Sequence, residues 1–254
     1  MIVRVTILGS GTSTGVPMLG CTCAACRSTD PRDQRLRSSL LISVDGRNLV
    51  IDTTPEFRIQ MLRANVSGLD AVMLTHSHAD HIHGFDDLRA FTMGTDVRIP
   101  VYGASHTLAH IREHFRYIWE SEQVGGGVPQ VDLHAVDGPF EAAGLTIEPI
   151  PVWHGRLAVF GFRFADCAYI SDVSAIPDSS MDRLRGLRLL IIDAVRYRPH
   201  STHFHLEAAK RVARRLAPAK TVFTHLNHDF VHAELVDQLP ADMDAAYDGM
   251  QFDL

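Results

Sequence analysis

The sequence predicts a single α/β domain. With 254 residues, the chain is long enough to bury one full-sized core. Its 46% hydrophobic and 21% charged residues are ordinary for a globular protein. Short apolar segments typical of strands are interspersed along the chain with segments of helical pattern. We therefore expect residues 1–254 to form one domain that combines strands with helices.

The most informative segment follows an apolar run at residues 70–75 that is typical of a buried strand. Four side chains that commonly bind metals lie within six residues here: His76, His78, Asp80 and His81. Apolar residues up to position 91 are then spaced as on a helix whose first turn holds Asp80. We therefore predict that the four ligands lie on the loop between a strand and a helix. The alternative is a solvated polar loop, but this spacing is rarely accidental.

The spacing of the four side chains predicts two neighbouring metal positions. Side chains two apart on an extended backbone point the same way, so His76 and His78 can bind one ion. Asp80 and His81 lie at the turn into the helix and are directed toward a second ion. Imidazole and carboxylate ligands suit Zn, Mn or Fe, with coordination positions left for water.

This H-x-H-x-D-H pattern after a hydrophobic strand resembles that of the metallo-β-lactamase superfamily of metallohydrolases. The resemblance implies a four-layer αβ/βα sandwich, two mixed β-sheets flanked by helices, with a two-metal site at the sheet edge. It also implies three later ligands, and the candidates at strand ends are His154, Asp172 and His225. It places His76, His78 and His154 on one metal, Asp80, His81 and His225 on the other, and Asp172 between the two.

A second candidate metal site is formed by three of the four cysteines, Cys21, Cys23 and Cys26. Disulfides are not expected in a chain without signs of export, so C-x-C-x-x-C predicts thiolate ligands for zinc, completed by a fourth ligand. Free thiols in a loop are the alternative. Cys167 stands alone among apolar residues and is predicted to lie in the core.

Three features narrow the resemblance: a G-x-x-x-G-V-P loop at residues 11–17, the cysteine motif, and Thr-His-Leu-Asn-His at residues 224–228. Together they resemble the cyclic-phosphate phosphodiesterase family of the bacterial carbon–phosphorus lyase pathway, over essentially the whole chain. This resemblance implies that His228 completes a structural zinc site with the three cysteines. It also implies that His203 is a catalytic histidine; His200 and His205 in the same segment are further candidates for the proton donor.

Candidate substrate-binding residues are Ser10, Gly11 and Thr12 in the turn after the first strand, together with His200. The N–H groups of such a turn can bind phosphate oxygens, although Gly-rich turns after a strand are often only turns.

Two further segments have open roles. Asp52, at a strand end, either orients a ligand histidine or caps the following helix. Residues 114–130 combine aromatic side chains with three glycines, which fits either a lid over the site or a plain surface loop.

The predicted function is hydrolysis of small phosphate diesters, such as phosphoribosyl 1,2-cyclic phosphate or nucleoside 2′,3′-cyclic phosphates. Two divalent metals, Mn or Zn, would make hydroxide available at neutral pH for attack on phosphorus. Asp80 and Asp172 are the catalytic residues that hold these metals, and His203 is predicted to protonate the leaving alkoxide.

Other functions fit the sequence less well. An RNA-processing endonuclease of the same superfamily shares the ligands, but the net charge of −6 and the lack of a basic, Gly-rich arm argue against it. A β-lactamase or thioester hydrolase is disfavoured because Asp80 and Asp172 make the ligand set oxygen-rich. A non-catalytic binding protein would be expected to lack one of the seven ligands, and all seven are present.

The sequence also bears on location and partners. No apolar run approaches the roughly 18 residues of a membrane span, and the start of the chain is typical of a strand and not of a signal peptide. We therefore expect a cytoplasmic protein without membrane contacts; a homodimer is left open.

Overall fold

The computed structural model of the chain describes residues 2–120 and 127–254. Within them the strands form two mixed sheets of seven strands each. In pairing order, the first sheet contains β14 (Gln251–Asp253), β1 (Val3–Gly9), β2 (Ser39–Val44), β3 (Arg47–Ile51), β4 (Ala71–Met73), β5 (Ile99–Gly103) and β6 (Val131–Ala135). The second contains β13 (Met243–Ala245), β12 (Lys220–Thr224), β11 (Leu189–Asp193), β10 (Cys167–Ile170), β9 (Leu157–Phe164), β8 (Leu145–His154) and β7 (Phe140–Ala142).

The helices flank the sheets and fill the connections between strands. They are α1 (Ala24–Arg27), α2 (Phe57–Arg63), α3 (Ala79–Ile82), α4 (Arg89–Thr92), α5 (Ser105–His114), α6 (Asp178–Arg183), α7 (Leu206–Leu216) and α8 (His232–Asp237). Short 3₁₀ turns occur at Pro31–Asp33, Phe85–Leu88 and Arg116–Ile118.

The core lies in three layers because the inner strands are apolar on both faces. On β2, Ile42 packs against the other sheet, whereas Leu41 packs toward the helices on the outside of the first sheet. On β11, Ile191 faces the first sheet and Ile192 faces α6, α7 and α8. Alternate side chains of a strand point to opposite faces, so continuous apolar runs mark strands covered on both sides. This is the predicted four-layer sandwich.

Parallel strands bring the functional segments to one edge. Strands β3 to β6 are parallel to one another, as are β10 to β13. The carboxyl ends of parallel strands meet at the same edge of a sheet, where side chains from several loops can converge.

Two local predictions differ from the structure. The single helix predicted up to residue 91 is broken into α3, a 3₁₀ turn and α4. The break lies at Gly84, whose N–H donates to Thr53 and whose Cβ, if present, would lie 2.0 Å from the Thr54 carbonyl oxygen. Tight backbone packing therefore interrupts the helical pattern. The sequence also predicts a helix at residues 105–117 with Ser105 as its N-cap. Ala104 holds that position and Ser105 is the first helical residue, so this N-cap prediction is wrong.

The segment at residues 114–130, considered either as a lid or as a plain surface loop, includes residues 121–126, which lie outside the described residues. Among residues 2–120 and 127–254, no helix has the length and apolar character needed to cross a membrane.

Candidate metal centre

The candidate ligands lie where strands end at one edge of the sandwich. His76 comes shortly after β4, His154 is the last residue of β8, and Asp172 and His225 follow β10 and β12. Asp172 and His225 have positive φ angles of 51° and 58°. This left-handed backbone is uncommon outside glycine, and Asp and His are among the residues that tolerate it. The chain therefore turns sharply at these positions, directly after each strand.

The first cluster consists of three histidines around one carboxylate. One ligand atom from each of His76, His78, His154 and Asp172 lies within 4.8 Å of the others. The Nε2 atoms of His76 and His154 are each 3.9 Å from Asp172 Oδ2. His78 is the exposed member, so the cluster is open to solvent on its side.

The second cluster shares Asp172 with the first. His81, Asp172 and His225 offer ligand atoms within 4.8 Å of one another. Asp172 Oδ1 lies 3.2 Å from both His81 Nε2 and His225 Nδ1. Asp80 Oδ2 is 3.3 Å from His81 Nε2 and joins this cluster. Asp172 thus turns one oxygen to each cluster, which is the bridging position that the resemblance implied.

Hydrogen bonds orient two of the ligand histidines. His81 Nδ1 lies 2.7 Å from Asp52 Oδ2 and His76 Nδ1 lies 3.0 Å from Thr75 Oγ1, whose hydroxyl donates to Asp52. Each Nδ1 therefore donates, which leaves the lone pair on Nε2. Of the two roles considered for Asp52, orienting a histidine is the one present, since the N-cap residue of α2 is Glu56 and no side chain caps that helix.

The clusters fit divalent cations. The buried Nε2 atoms of His76 and His81 make no hydrogen bond of acceptable geometry with any described residue, although His81 has carboxylates nearby. Buried polar atoms normally have a hydrogen-bond partner. A buried lone pair that points toward carboxylates has none, and a cation bound between them would be a ligand partner for both. The residues present therefore suit two divalent metals held side by side.

The electrostatics of the clusters favour the forms that bind metal. Burial lowers the pKa of His76, and it lowers the pKa of His225 to about 4. Burial opposes ionisation of Asp172, but His225 and His81 hold its pKa well below the usual range. His81 differs: although burial opposes its charge, Asp172 and Asp80 raise its pKa well above the usual value. Binding of a cation by His81 would use the neutral form of its ring.

His203 lies beside both clusters and is paired with Asp193. Its Nδ1 donates to Asp193 Oδ2 at 2.9 Å, and its ring stacks on His225 with centroids 4.9 Å apart. Burial lowers the pKa of His203, but the hydrogen bond and charge of Asp193 raise it above the usual value. Sequence reasoning missed Asp193, although an apolar run that ends in aspartate, as β11 does, was the available signal.

The other two candidate histidines of this segment are placed differently. The ring centroid of His200 is 5.0 Å from that of His203, and its Nδ1 lies 3.2 Å from the Thr202 amide nitrogen. His205 is the N-cap residue of α7, and its side chain does not cap the helix.

The N–H groups of the Gly-rich turn after β1 form hydrogen bonds with other parts of the protein. Both the amide and the hydroxyl of Ser10 donate to Asp248 Oδ1, at 2.9 and 2.8 Å. The amides of Gly11 and Thr12 donate to backbone carbonyls of other segments. All three residues are buried. The N–H groups predicted to bind a substrate phosphate are therefore already used, and the structural alternative of a tight turn describes this loop.

The cysteine motif converges on one histidine. Cys21, Cys23, Cys26 and His228 offer ligand atoms within 4.8 Å of one another. His228 Nδ1 lies 3.1 Å from Cys21 Sγ and 3.4 Å from Cys23 Sγ. Burial raises the pKa of Cys26 to about 11, so a thiolate there calls for a neighbouring cation. These four residues have the composition of a closed tetrahedral site.

Comparisons with known proteins agree with this geometry. Residues 47–226 match the family model of the beta-lactamase superfamily domain. A crystal structure described as a new diphosphatase from the PhnP family is 42% identical, with a TM-score of 0.93 over 99% of this chain and 98% of that one.

Two relatives match over different shares of their length. The octanoyltransferase of Porphyromonas gingivalis is 39% identical over 253 residues, which is 98% of this chain but 51% of that protein. This chain therefore spans about half the length of that relative. The ribonuclease Z of Bradyrhizobium diazoefficiens is 30% identical over 155 residues, or 58% of this chain and 50% of that protein.

The superfamily match covers most of the chain and contains all seven candidate ligands of the paired clusters. The likeness to the PhnP-family structure extends over both full lengths. The chain therefore belongs to the metallo-β-lactamase superfamily of hydrolases and, within it, to the PhnP family.

Proposed function

We propose that this protein is a metal-dependent phosphodiesterase that acts on small phosphate diesters, and on cyclic diesters in particular. The observation that carries the proposal is that the His203–Asp193 pair lies beside two clusters of imidazole and carboxylate side chains. Asp172 Oδ2 lies 4.0 Å from His203 Nδ1, so the proton-carrying ring is next to the shared carboxylate. Imidazole and carboxylate ligands together suit zinc and manganese, ions that also accept phosphate oxygens as ligands.

Two divalent ions, manganese or zinc, held by the two clusters would lower the pKa of a water and offset negative charge on phosphate oxygens. His76, His78 and His154 would hold one ion, Asp80, His81 and His225 the other, and Asp172 would fix their spacing. Five of the seven side chains come from strand ends or the segments that follow them, and Asp80 and His81 come from the short helix α3, so the site is built on elements of the sandwich.

His203 supplies the proton for the leaving group. Asp193 holds Nδ1–H of the ring, so Nε2, on the opposite side of the ring, is the atom that delivers a proton. The raised pKa of His203 favours the imidazolium form of the ring. A cyclic diester opens to an alkoxide that stays attached to the product, and an alkoxide needs a proton to become a stable leaving group. A histidine acid beside the clusters suits this reaction.

The cysteine cluster is assigned a structural role. Thiolates are soft ligands that select zinc over manganese, so Cys21, Cys23, Cys26 and His228 would hold one structural zinc. His228 lies three residues after His225, so this zinc would fix the backbone next to an active-site ligand.

The test is a substrate panel for the metal-loaded protein. The panel contains bis(p-nitrophenyl) phosphate, nucleoside 2′,3′-cyclic phosphates and phosphoribosyl 1,2-cyclic phosphate, with Asp172→Asn as the inactive control. We expect hydrolysis of all three, with the highest kcat/KM on a cyclic diester. A protein that binds two metals per chain in the paired clusters and hydrolyses none of them would refute the proposal.

A second candidate is hydrolysis of a diphosphate, because the 42% identical PhnP-family structure is described as a diphosphatase. Attack on a diphosphate also takes place at phosphorus and needs the same residues. A diphosphate ester in the same panel separates the two, since the preferred substrate has the higher kcat/KM.

A precursor tRNA substrate tests the nuclease alternative, against which the net charge of −6 stands.

A further inference from the structure

Thr202 forms hydrogen bonds with two histidines of the site. Its carbonyl oxygen accepts a hydrogen bond from His154 Nδ1 at 2.7 Å, which directs Nε2 of His154 to the first cluster. Its backbone N–H donates to His200 Nδ1 at 3.2 Å, and its hydroxyl lies at the same distance from that atom. One residue therefore connects a candidate metal ligand with His200.

The hydrogen bond from the amide fixes the tautomer of His200. A backbone N–H can only donate, so His200 Nδ1 must present its lone pair to Thr202. In the neutral ring the proton is then on Nε2. Protonation of Nδ1 would place its N–H next to the backbone N–H of Thr202, and neither group could accept a hydrogen bond from the other. Burial and the nearby charge of His203 also lower the pKa of His200, in agreement with a neutral ring.

His203 has the opposite arrangement. Its Nδ1 faces a carboxylate oxygen of Asp193 and therefore carries the proton, which leaves Nε2 free to gain or lose one. The two ring centroids are only 5.0 Å apart. Two adjacent histidines thus differ in which nitrogen is protonated, and so in the chemistry they can perform.

We propose that His200 is a neutral hydrogen-bond donor that binds a phosphate oxygen of the substrate, and that Thr202 is the positioning residue that fixes its tautomer. This inference rests on the proposed function in taking a phosphate ester as the substrate. The Nε2 atom of His200 has no hydrogen-bond partner among the described residues, and the side chain is half-buried. His203 then remains the proton donor, which separates binding from acid catalysis.

The tautomer is tested by ¹⁵N NMR of histidine-labelled protein loaded with zinc, which is diamagnetic. The His200 signals are assigned by their loss in His200→Gln. We expect an unprotonated Nδ1 and a protonated Nε2 near neutral pH. An imidazolium, or a proton on Nδ1, would overturn the proposal.

Contact with phosphate is tested by calorimetry with inorganic phosphate, without turnover. His200→Ala is expected to raise the Kd roughly 10-fold, which corresponds to the lower end of the range for one hydrogen bond to a charged group. His200→Gln keeps an N–H donor and should recover part of the affinity. His106→Ala, an exposed histidine on α5, is the matched control and should leave the Kd unchanged. An unchanged Kd in His200→Ala would also overturn the proposal.

Kinetics separate the two histidine roles. With a series of diesters of different leaving groups, His200→Ala should lower kcat/KM by a similar factor, roughly 10- to 100-fold, for every leaving group. A loss that grows as the leaving group becomes poorer would make His200 the acid and contradict the assignment. If the wild-type protein hydrolyses no diester, the proposed function fails, whereas the NMR and phosphate measurements still decide the role of His200.

Discussion

Replacing Asp193 by Asn removes the charge behind His203 while keeping the shape of the side chain. Asp193 is fully buried, and its Oδ2 accepts hydrogen bonds from His203 Nδ1 at 2.9 Å and from the Val173 amide at 3.0 Å. The Asn oxygen can accept both. The amide NH₂ would lie at the position of Oδ1, which has no hydrogen-bond partner among the described residues. We therefore expect a folded variant in which His203 keeps a neutral acceptor.

The expected change in the pKa of His203 follows from the change in the type of hydrogen bond that it donates. A hydrogen bond to a charged group is worth about 1 to 1.5 kcal/mol more than one between neutral groups, which corresponds to about one pKa unit. The pKa of His203, raised in the wild type by Asp193, should fall by about that amount. The protonated ring is the active form for leaving-group protonation, so this activity declines as pH rises through the pKa. In Asp193→Asn the decline should begin at lower pH, and the rate above the pKa should drop about 10-fold.

The assay is a pH profile of kcat/KM on a diester with an alkoxide leaving group and on bis(p-nitrophenyl) phosphate. Nitrophenolate leaves without a proton, so only the first substrate should show the shift. Asp178→Asn, at an exposed ion pair with Arg215, is the matched control and should change neither profile. Equal losses on both substrates, with metal content unchanged, would refute the assignment of His203 as the acid.

Three further predictions address the metals and the acid directly. Asp80→Ala or His225→Ala should abolish diesterase activity with the fold retained, because each removes a ligand of the second cluster; near-wild-type turnover with confirmed metal content would contradict this. His203→Ala should slow alkoxide-leaving diesters by roughly 10²- to 10⁴-fold and p-nitrophenyl esters far less, and equal losses would indicate a binding role. Cys23→Ser should lower Tm and release about one zinc per chain from protein reloaded with manganese, because structural zinc contributes to folding. Cys167→Ser, in the core, should lower Tm without changing metal content; freely titrating thiols in wild-type protein would rule out the zinc site.

The sequence by itself determined the features that depend on local spacing. His76, His78, Asp80 and His81 lie within six residues, so their relation to a metal follows from local backbone geometry. The strands were also predictable, because apolar runs covered on both faces mark inner strands. The later ligands His154, Asp172 and His225 needed the family resemblance, since a single polar residue at a strand end carries little information.

Only the tertiary structure decided how distant residues are used. Ser10 was a candidate for phosphate binding, but the approach of Asp248 from near the other end of the chain uses its donors. The role of Asp52 depended on which side chain packs against it, and His81 is that partner. The helix after Asp80 was broken by close backbone packing at Gly84.

The roles of His200 and His203 could not be told apart from the sequence either. Nothing in the order His200 to His205 distinguishes an acid from a neutral donor, because the protonated nitrogen is set by the hydrogen-bond partner and not by the sequence position. The difference arises because Asp193 accepts from one ring and the Thr202 amide donates to the other. Local spacing determined the first four candidate ligands, whereas packing between strands and loops determined which atoms of the neighbouring residues are free to do chemistry.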